Sequence, residues 1–236
     1  MDFLIFRISL LFSGEWCDDG QMTTLAHDPA LRRRVPAQAR SRATVDRVCA
    51  AATVLLSESG WSGLNTNAVA ARAGVSVTAV YSYFPDKYAI VHELSQRYTE
   101  RRLVLLRPSF VAIAGGIDLG AWLTQAMTAM AQMRVDYPEG VILRATMQAS
   151  HELRDLQQVG TMLIAVEMAG ALQERDAQMA PAHALHIART LLTSAVAMID
   201  DCTVWNGSVM EVDDLMVAES ILMISLYLAD ALTQKN

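Results

Sequence analysis

The stretch AGVSVTAVYSYFPDK, residues 73–87, determines the fold that the sequence predicts around it. Gly74 tolerates the positive φ angle that ends one helix, and Ser76 can cap the next helix, VTAVYSYF. Pro85 breaks that helix, and Asp86 can cap a further helix that starts at Lys87. The stretch therefore predicts a tight turn between two helices, a short second helix and a new helix after it.

The flanking residues extend this pattern in both directions. Upstream, Asn65 can cap the short helix TNAVAARA, which Gly74 ends. A longer helix before it ends at Gly60 and carries one apolar stripe, formed by Val45, Val48, Cys49, Ala52, Leu55 and Leu56. Downstream, the helix from Lys87 is predicted to run to about Leu106 and to stop before Pro108. The middle pair has helix-turn-helix spacing, with a predicted core of Val69, Ala73, Val75, Val80 and Phe84.

Composition and charge distribution narrow the class of protein. The 236 residues are 53% hydrophobic but only 6% aromatic, with few glycines and prolines, which favours a helical core. The formal net charge is −6, yet residues 29–107 hold twelve basic and five acidic side chains, a net charge of +7. This asymmetry favours a polyanionic partner for the N-terminal part. Three widely spaced cysteines favour a reducing cytoplasm over a disulfide framework.

The predicted third helix has the size and side chains that suit a DNA major groove. Its predicted outer face, with the start of the second helix, holds Thr66, Asn67, Val77, Thr78, Tyr81 and Tyr83. Lys87 lies in the first turn of the next helix, where its ammonium group and free backbone N–H groups can bind one phosphate. Thr66 can hold a phosphate on the other side of the groove. The alternative is that Tyr81 and Tyr83 are half-buried packing residues of a small helical bundle.

The segment GLNTNAVAARAGVSVTAVYSYFPDKYAIVHEL, residues 63–94, resembles the DNA-binding domain of TetR-type transcriptional regulators. The resemblance extends over about residues 40–98. It implies a homodimeric repressor whose C-terminal helices bind a small inducer. It also implies phosphate contacts by Thr66, Tyr81 and Lys87, and base-facing positions for the set Asn67, Val77, Thr78 and Tyr83. The chain departs from the family pattern at Asn65, which replaces a more usual threonine, and at Val77, which can touch only a methyl group.

The remainder of the chain is also predicted to be helical, so the predicted fold class is all-α. Helices are expected at residues 118–136, 139–151, 153–175, 182–204 and 211–233, with no strand-like alternation. The predicted domains are a disordered extension and basic arm at 1–36, the helix-turn-helix domain at 37–98, and a helical ligand-binding and dimerisation domain at 99–236. The apolar run at 3–12 is too short to span a bilayer, and residues 1–21 are expected to be a non-functional extension, with a membrane-associated helix as the alternative.

The last two predicted helices are apolar on two faces each. One stripe of the final helix contains Leu215, Ala218, Leu222, Ser225, Ala229 and Leu232, and the other contains Val217, Ile221, Ile224 and Leu228. The helix before it has Leu185, Ala188, Leu192, Ala195 and Ile199 on one face, and Ile187, Leu191, Ser194 and Met198 on the other. A helix that is apolar on two faces needs two partners, so we expect a four-helix dimer interface. A deep intramolecular core is the alternative.

Methionines mark a candidate pocket in the C-terminal part, since eleven of the thirteen lie between Met127 and Met223. Methionine adapts to varied apolar ligands, although ordinary core packing would also account for the pattern. The candidate ligand-binding residues are the apolar Trp122, Met127, Met130, Met147 and Met162, with the polar-tipped Tyr137, Gln148, His151 and Trp205.

Catalytic and metal-binding signals are weak. His183 and His186 have a helical spacing that can hold a metal, but no nearby ligands complete a set. Acidic neighbours would raise the pKa of Cys202. The sequence therefore predicts a cytoplasmic, non-enzymatic DNA-binding regulator without metal or cofactor and with no membrane partner. Its expected partners are double-stranded DNA, a small hydrophobic inducer and a second copy of the chain. A helical enzyme around His151 or Cys202 and a protein-binding adaptor remain alternatives.

Overall fold

From residue 39 onward, where the structure describes the chain, the N-terminal part contains three helices in the order that the sequence predicts. The computed structural model describes residues 39–205 and 209–232, so the predicted extension and arm at 1–36 lie outside the described residues. The helices are α1 (Ala39–Gly63), α2 (Thr66–Ala73) and α3 (Val77–Tyr83). Gly60, predicted to end α1, adopts a φ of 62° and kinks the helix, which continues for three more residues.

The capping residues behave as the sequence predicts. Asn65 Oδ1 accepts from the Ala68 amide at 2.9 Å, and Ser76 Oγ accepts from the Ala79 amide at 3.1 Å. Gly74 has a φ of 62°, the left-handed conformation that a residue with a side chain adopts only under strain. These local interactions set the bounds of α2 and α3 independently of the rest of the fold.

A small apolar core holds the helix-turn-helix together. Val69, Val80 and Phe84 have no exposed surface, and Ala73 is also buried. Val75, predicted as the fifth member, is only half-buried because it lies in the turn between the helices. The stripe on α1 packs as predicted, with Leu55 alone half-buried.

The fourth helix, α4 (Lys87–Ala114), is longer than predicted and contains Pro108. The prediction that Pro108 ends this helix is wrong. A proline in a helix interior costs about 3 kcal/mol, but Phe110 and Ile113, which follow it, are buried in the core. Burying two such side chains contributes about 3–6 kcal/mol, which offsets the proline. Val104, whose carbonyl Pro108 cannot bond, lies on the exposed side of the helix, where water can solvate it.

The C-terminal part contains four long helices, one shorter helix and a hairpin. Its elements are α5 (Leu119–Asp136), α6 (Pro138–Ala149), α7 (Arg154–Arg175), α8 (Pro181–Cys202), β1 (Thr203–Trp205), β2 (Met210–Val212) and α9 (Asp214–Ala231). The antiparallel pair β1–β2 contradicts the prediction that helices continue to residue 204 and begin at 211. Strands of three residues are too short to show an alternation in the sequence. With α1–α4, these elements make an all-α fold.

One apolar core runs between α4, α5, α7, α8 and α9. Among the described residues, α8 is the helix whose length and hydropathy would suit a membrane span. Nine of its residues are buried within the protein, including Leu191 and Ile199, as in a core helix. All described residues belong to the unit Arg32–Asn236. The proposed boundary between residues 98 and 99 falls inside α4, which crosses it without a break.

The two predicted stripes of α9 have different environments. Val217, Ile224 and Leu228 are buried against the subunit's own core. On the other stripe Leu215 is 72% exposed and Leu222 is 56% exposed. In α8, by contrast, the large apolar side chains of both stripes are buried or half-buried within the subunit. The uncovered apolar surface of the C-terminal part therefore lies mainly on α9.

Candidate DNA-binding surface and C-terminal cavity

The outward face of α3 presents side chains from its first turn onward. Val77 and Tyr81 are exposed by 37% and 41%, and Thr78 is exposed between them. A helix with its side chains is about 10–12 Å across, and the B-DNA major groove is about 12 Å wide. The exposed N-terminal half of α3 therefore has a width that suits the groove.

Two hydroxyl groups meet beside this face. Thr66 Oγ1, at the start of α2, lies 3.0 Å from the Tyr81 hydroxyl, within hydrogen-bond distance. Thr66 is half-buried, so the pair is held against the domain, and Asn67 next to it is exposed. Two adjacent hydroxyls can hold one phosphate oxygen, a type of contact that fixes a protein's register on DNA.

Tyr83 has a mixed environment. It is half-buried at the end of α3. The alternative that Tyr81 and Tyr83 are half-buried packing residues therefore describes Tyr83 better than Tyr81. The base-facing position of Tyr83 stays a prediction.

Lys87 contacts Trp61, a residue that sequence analysis missed. Lys87 Nζ donates to the Trp61 carbonyl at 2.9 Å and lies 3.9 Å from the centroid of the Trp61 ring. These contacts position the ammonium group at the start of α4, next to the Asp86 cap. An ammonium group has three donors, so a phosphate can be bound while the Trp61 contact persists. The sequence signal was an aromatic residue directly after the Gly60 kink.

The same tryptophan joins the helix-turn-helix to the C-terminal part. Trp61 Nε1 donates to Glu152 Oε2 at 3.2 Å, and Glu152 lies in the segment between α6 and α7. A chain of two side-chain contacts therefore connects Lys87 with that segment.

Part of the positive charge of the N-terminal region is paired internally. Arg72 forms a bidentate ion pair with Glu58, and Arg97 bonds Glu93 and Asp46. Arg42 and Arg47 are exposed on α1. The charge that faces solvent is thus smaller than the sequence total of the region suggests.

A small apolar cavity lies within the C-terminal part. Its volume is about 30 Å³, and α4, α5 and α8 line it. The lining includes Leu106 and Phe110 from α4, Trp122, Met127 and Met130 from α5, and Ile199 from α8. This volume would hold about two water molecules, whereas a drug-sized ligand needs about 300 Å³ or more. Ligand binding would therefore require the walls to move, and methionine side chains adapt readily.

Residues 48–94 match the family described as bacterial regulatory proteins, tetR family. The matched residues run from within α1 to within α4 and include the whole helix-turn-helix. The N-terminal part of the chain therefore contains a DNA-binding domain of the TetR type.

Solved structures of TetR-family regulators share the fold over most of the chain. A protein from Mesorhizobium loti described as a TetR-family transcriptional regulator is 19% identical, with a TM-score of 0.62 over 81% of this chain and 98% of its own. A TetR-family transcriptional regulator from Streptomyces coelicolor is also 19% identical, with a TM-score of 0.57 over 80% of this chain and 99% of its own. A transcriptional regulator from Rhodococcus is 20% identical, with a TM-score of 0.57 over 79% and 96%. No curated protein matches the sequence closely enough to count as a relative.

Not all of the predicted ligand-binding residues lie together. Trp122, Met127 and Met130 line the cavity, whereas Met147 is buried elsewhere and Met162 is half-buried on α7. Of the remaining candidates, Tyr137, Gln148 and His151 are exposed on the surface. The side chain of Trp205 lies outside the described part of the chain. Tyr137 instead packs its ring 4.2 Å from the guanidinium carbon of Arg101.

The surroundings of the residues considered for catalysis or metal binding do not form a reactive or metal-binding group within the described residues. Cys202 is fully buried, and burial raises the pKa of its thiol, which disfavours the reactive thiolate. His183 Nε2 lies 3.2 Å from the Ala231 carbonyl oxygen. Within residues 39–205 and 209–232, no group of three or more metal-binding side chains comes together.

Proposed function

We propose that this chain is a homodimeric, ligand-responsive repressor that binds a palindromic operator and releases it when a small hydrophobic inducer binds. The exposed face of α3, beside the Thr66–Tyr81 hydroxyl pair, is the observation that carries the DNA-binding part. Thr66, Tyr81 and Lys87 bind phosphates. The base-facing residues are Asn67, Val77, Thr78 and Tyr83.

The dimer part of the proposal rests on α9. Leu215, Leu222 and Leu226 are spaced seven and four residues apart and are all more than half exposed. Side chains at this spacing share one helix face, and a contiguous exposed apolar face marks an interaction surface. A second copy of α9 is the simplest partner, because a two-fold axis places the same face on both subunits. Binding to a palindromic operator requires the two α3 helices to lie one turn of DNA apart, about 34–36 Å.

The switching part rests on α4. This helix starts at Lys87 and lines the cavity with Leu106 and Phe110. Lys87 and Leu106 are about 29 Å apart along the helix axis. A ligand that enlarges the cavity would move α4 and change the distance between the two recognition helices. It acts as an inducer only if it binds the DNA-incompetent conformation more tightly.

A regulator of this kind works in the cytoplasm, where bacterial DNA lies, and needs no membrane partner, cofactor or metal. The burial of Cys202, which raises the pKa of its thiol, argues against a nucleophile at that position. An adaptor that never touches DNA would have no use for an exposed recognition face of this composition.

Selection of bound sequences from random duplexes tests the proposal. The expected result is a palindrome whose half-sites are centred about 10 base pairs apart, or a multiple of that distance. The palindrome is then searched for upstream of the protein's own gene. Enrichment of no sequence, or of a single asymmetric half-site, would contradict the proposal.

A further inference from the structure

Three arginines are buried in the C-terminal part, outside the surfaces described above. Arg102 on α4, Arg134 on α5 and Arg144 on α6 are exposed by 3%, 1% and 3%. Arginine is almost never fully buried without a partner. Each of these buried guanidinium groups therefore needs an acidic or polar partner.

One carboxylate serves two of the three. Asp200, near the end of α8, accepts at Oδ1 from Arg134 Nε at 3.0 Å and from Arg144 Nε at 3.3 Å. Its Oδ2 accepts from Arg144 Nη2. Arg134 Nη2 also lies 2.9 Å from Oδ1, at ion-pair distance but without hydrogen-bond geometry.

Among the residues that the structure describes, Arg102 has no carboxylate partner, and its guanidinium carbon lies 6.0 Å from the centroid of the Tyr98 ring. In the described part of the chain, its Nε and Nη2 have no hydrogen-bond acceptor, and the neighbouring Tyr98 hydroxyl has none either. The pKa of Arg102 is lowered to about 10, first by burial and further by the positive charges of Arg144 and Arg134, while Tyr98 and Asp200 act in the opposite direction. Two of the three cations thus share Asp200, and the unsatisfied Nε and Nη2 groups of the third, Arg102, are hydrogen-bond donors.

These charges lie at one end of the apolar cavity. Arg102 precedes the wall residue Leu106 by one helical turn, and Arg134 follows the wall residue Met130 by one turn. Asp200 directly follows the wall residue Ile199. Four residues of helix span about 6 Å, so the arginine cluster and the cavity are adjacent. Arg134 Nη1 also donates to the backbone carbonyl of Met130, one turn earlier on the same helix, at 3.2 Å.

We propose that Arg102, Arg134 and Arg144 bind the oxyanion of an amphipathic ligand, a carboxylate or a phosphate, whose apolar body lies in the cavity between α4, α5 and α8. Arg102 presents its free donors to the anion, and Tyr98 contributes its hydroxyl. A guanidinium matches the planar, bidentate geometry of both anions. The inference rests on the proposed function only in identifying this ligand with the inducer.

A ligand-binding role and a purely structural role of Arg102 predict opposite effects of its replacement on the stability of the ligand-free protein. A buried charge that contributes to stability needs a partner, and a buried charge without one destabilises the fold. If Arg102 serves an anionic ligand, the ligand-free protein tolerates or benefits from its replacement by an apolar side chain of similar length. If Arg102 holds the fold together, the same replacement destabilises it.

Thermal unfolding of the full chain in phosphate-free buffer distinguishes these roles. Octanoate, octyl phosphate and 1-octanol, which share an apolar chain and differ in the head group, are added at equal concentration. At about one hundred times its Kd, an anionic probe should raise the Tm by about 5 °C or more, and 1-octanol should raise it much less. The two anionic probes also show whether carboxylate or phosphate is preferred. An equal effect of 1-octanol, or no effect of either anion, would overturn the inference.

Substitutions in α4 test the anion-binding role of Arg102. Arg102→Met should abolish the increase in Tm with the anionic probes and leave the probe-free Tm unchanged or higher. Arg102→Lys, which retains the charge without the planar fork, should keep part of the increase. Arg101→Met is the matched control, because Arg101 is the adjacent arginine and is exposed, and it should respond as the wild type does. A lower probe-free Tm or failure to fold in Arg102→Met, or a retained response to octanoate, would contradict the proposal.

A parallel duplex-binding assay separates this inference from the proposed function. A protein that binds its selected duplex but responds to neither anion contradicts the anion site and leaves DNA binding intact. A protein that binds octanoate without any change in duplex affinity supports the anion site and contradicts its role as the inducer site.

Discussion

We propose that single side chains at the candidate DNA-binding surface divide into those that set affinity and those that set sequence preference. Tyr81 and Thr66 place two hydroxyls 3.0 Å apart, and Lys87 is held by Trp61 at the start of α4. These groups suit phosphates, which are the same in every sequence. Thr78 is exposed in the first turn of α3, and we propose that it contacts a base edge.

Tyr81→Phe removes one hydroxyl of the pair and leaves the ring in place. We expect the affinity for every duplex to fall by about 1 kcal/mol per subunit, about 30-fold for a dimer, as measured by fluorescence anisotropy. Tyr137→Phe is the control, because Tyr137 has nearly the same exposure, 40% against 41%, but lies in the C-terminal part. Unchanged affinity in Tyr81→Phe would remove the hydroxyl pair from the DNA contacts.

Thr78→Ala should relax sequence preference. If Thr78 reads a base edge, the variant loses about 1–3 kcal/mol of discrimination at one position of each half-site. Affinity for random duplexes should stay near that of the wild type. Competition with a panel of single-base operator variants measures this, and an equal loss on all duplexes would instead make Thr78 a phosphate contact.

Lys87→Ala should weaken binding to all duplexes alike. Removing one phosphate contact per subunit should reduce the slope of log affinity against log salt by about 2 for a dimer. Arg189→Ala, which removes an exposed positive charge on α8, should leave the slope unchanged. An unaltered slope in Lys87→Ala would show that its contacts with Trp61 are purely structural.

At the level of the helices, α4 combines an unfavourable residue with a favourable packing face. Pro108 removes one backbone hydrogen bond on the exposed side, while Phe110 and Ile113 continue the buried stripe. Pro108→Ala should therefore raise the free energy of unfolding by about 1–3 kcal/mol, measured by urea denaturation. Val111→Ala, at an exposed position three residues away, should change it by less than about 0.7 kcal/mol. A destabilised Pro108→Ala would indicate that α4 needs the proline's geometry.

The sequence predicts best those helices whose ends are set by capping hydrogen bonds to nearby residues. Asn65, Gly74 and Ser76 fix α2 and α3 through bonds to residues within four positions, so the caps were predictable. Pro108 was misjudged because its tolerance depends on the burial of Phe110 against distant helices. The hairpin was missed because its strands are too short for a pattern.

The cavity and the arginine cluster depend on contacts between residues far apart in the sequence. Asp200 bonds Arg134 and Arg144 across separations of 66 and 56 residues, which no periodicity reveals. A partial signal was present, since Arg102 lies four residues from both Tyr98 and Leu106, on an otherwise apolar stripe of α4. Three of the nine predicted ligand-binding residues line the cavity, because a methionine-rich composition identifies apolar helices but not which of their faces meet.

For the whole molecule, assembly is predicted to depend on the outer face of α9. Leu222→Glu combined with Leu226→Glu should convert a dimer to a monomer in sedimentation equilibrium, because two charges per subunit would be desolvated in the interface. Val111→Glu is the control at a side chain that is 73% exposed on α4, and it should remain dimeric. A dimer that survives the double change would place the interface elsewhere.

The central claim is that the exposed face of α3 and the groups beside it grip double-stranded DNA in a two-fold arrangement. The most direct measurement is the affinity of the purified protein for its selected duplex as a function of salt concentration. We expect log affinity to fall linearly with log salt and affinity to drop about 10³-fold between about 50 and 200 mM. Absence of binding to any duplex at about 50 mM salt, or an affinity that does not depend on salt, would contradict the account.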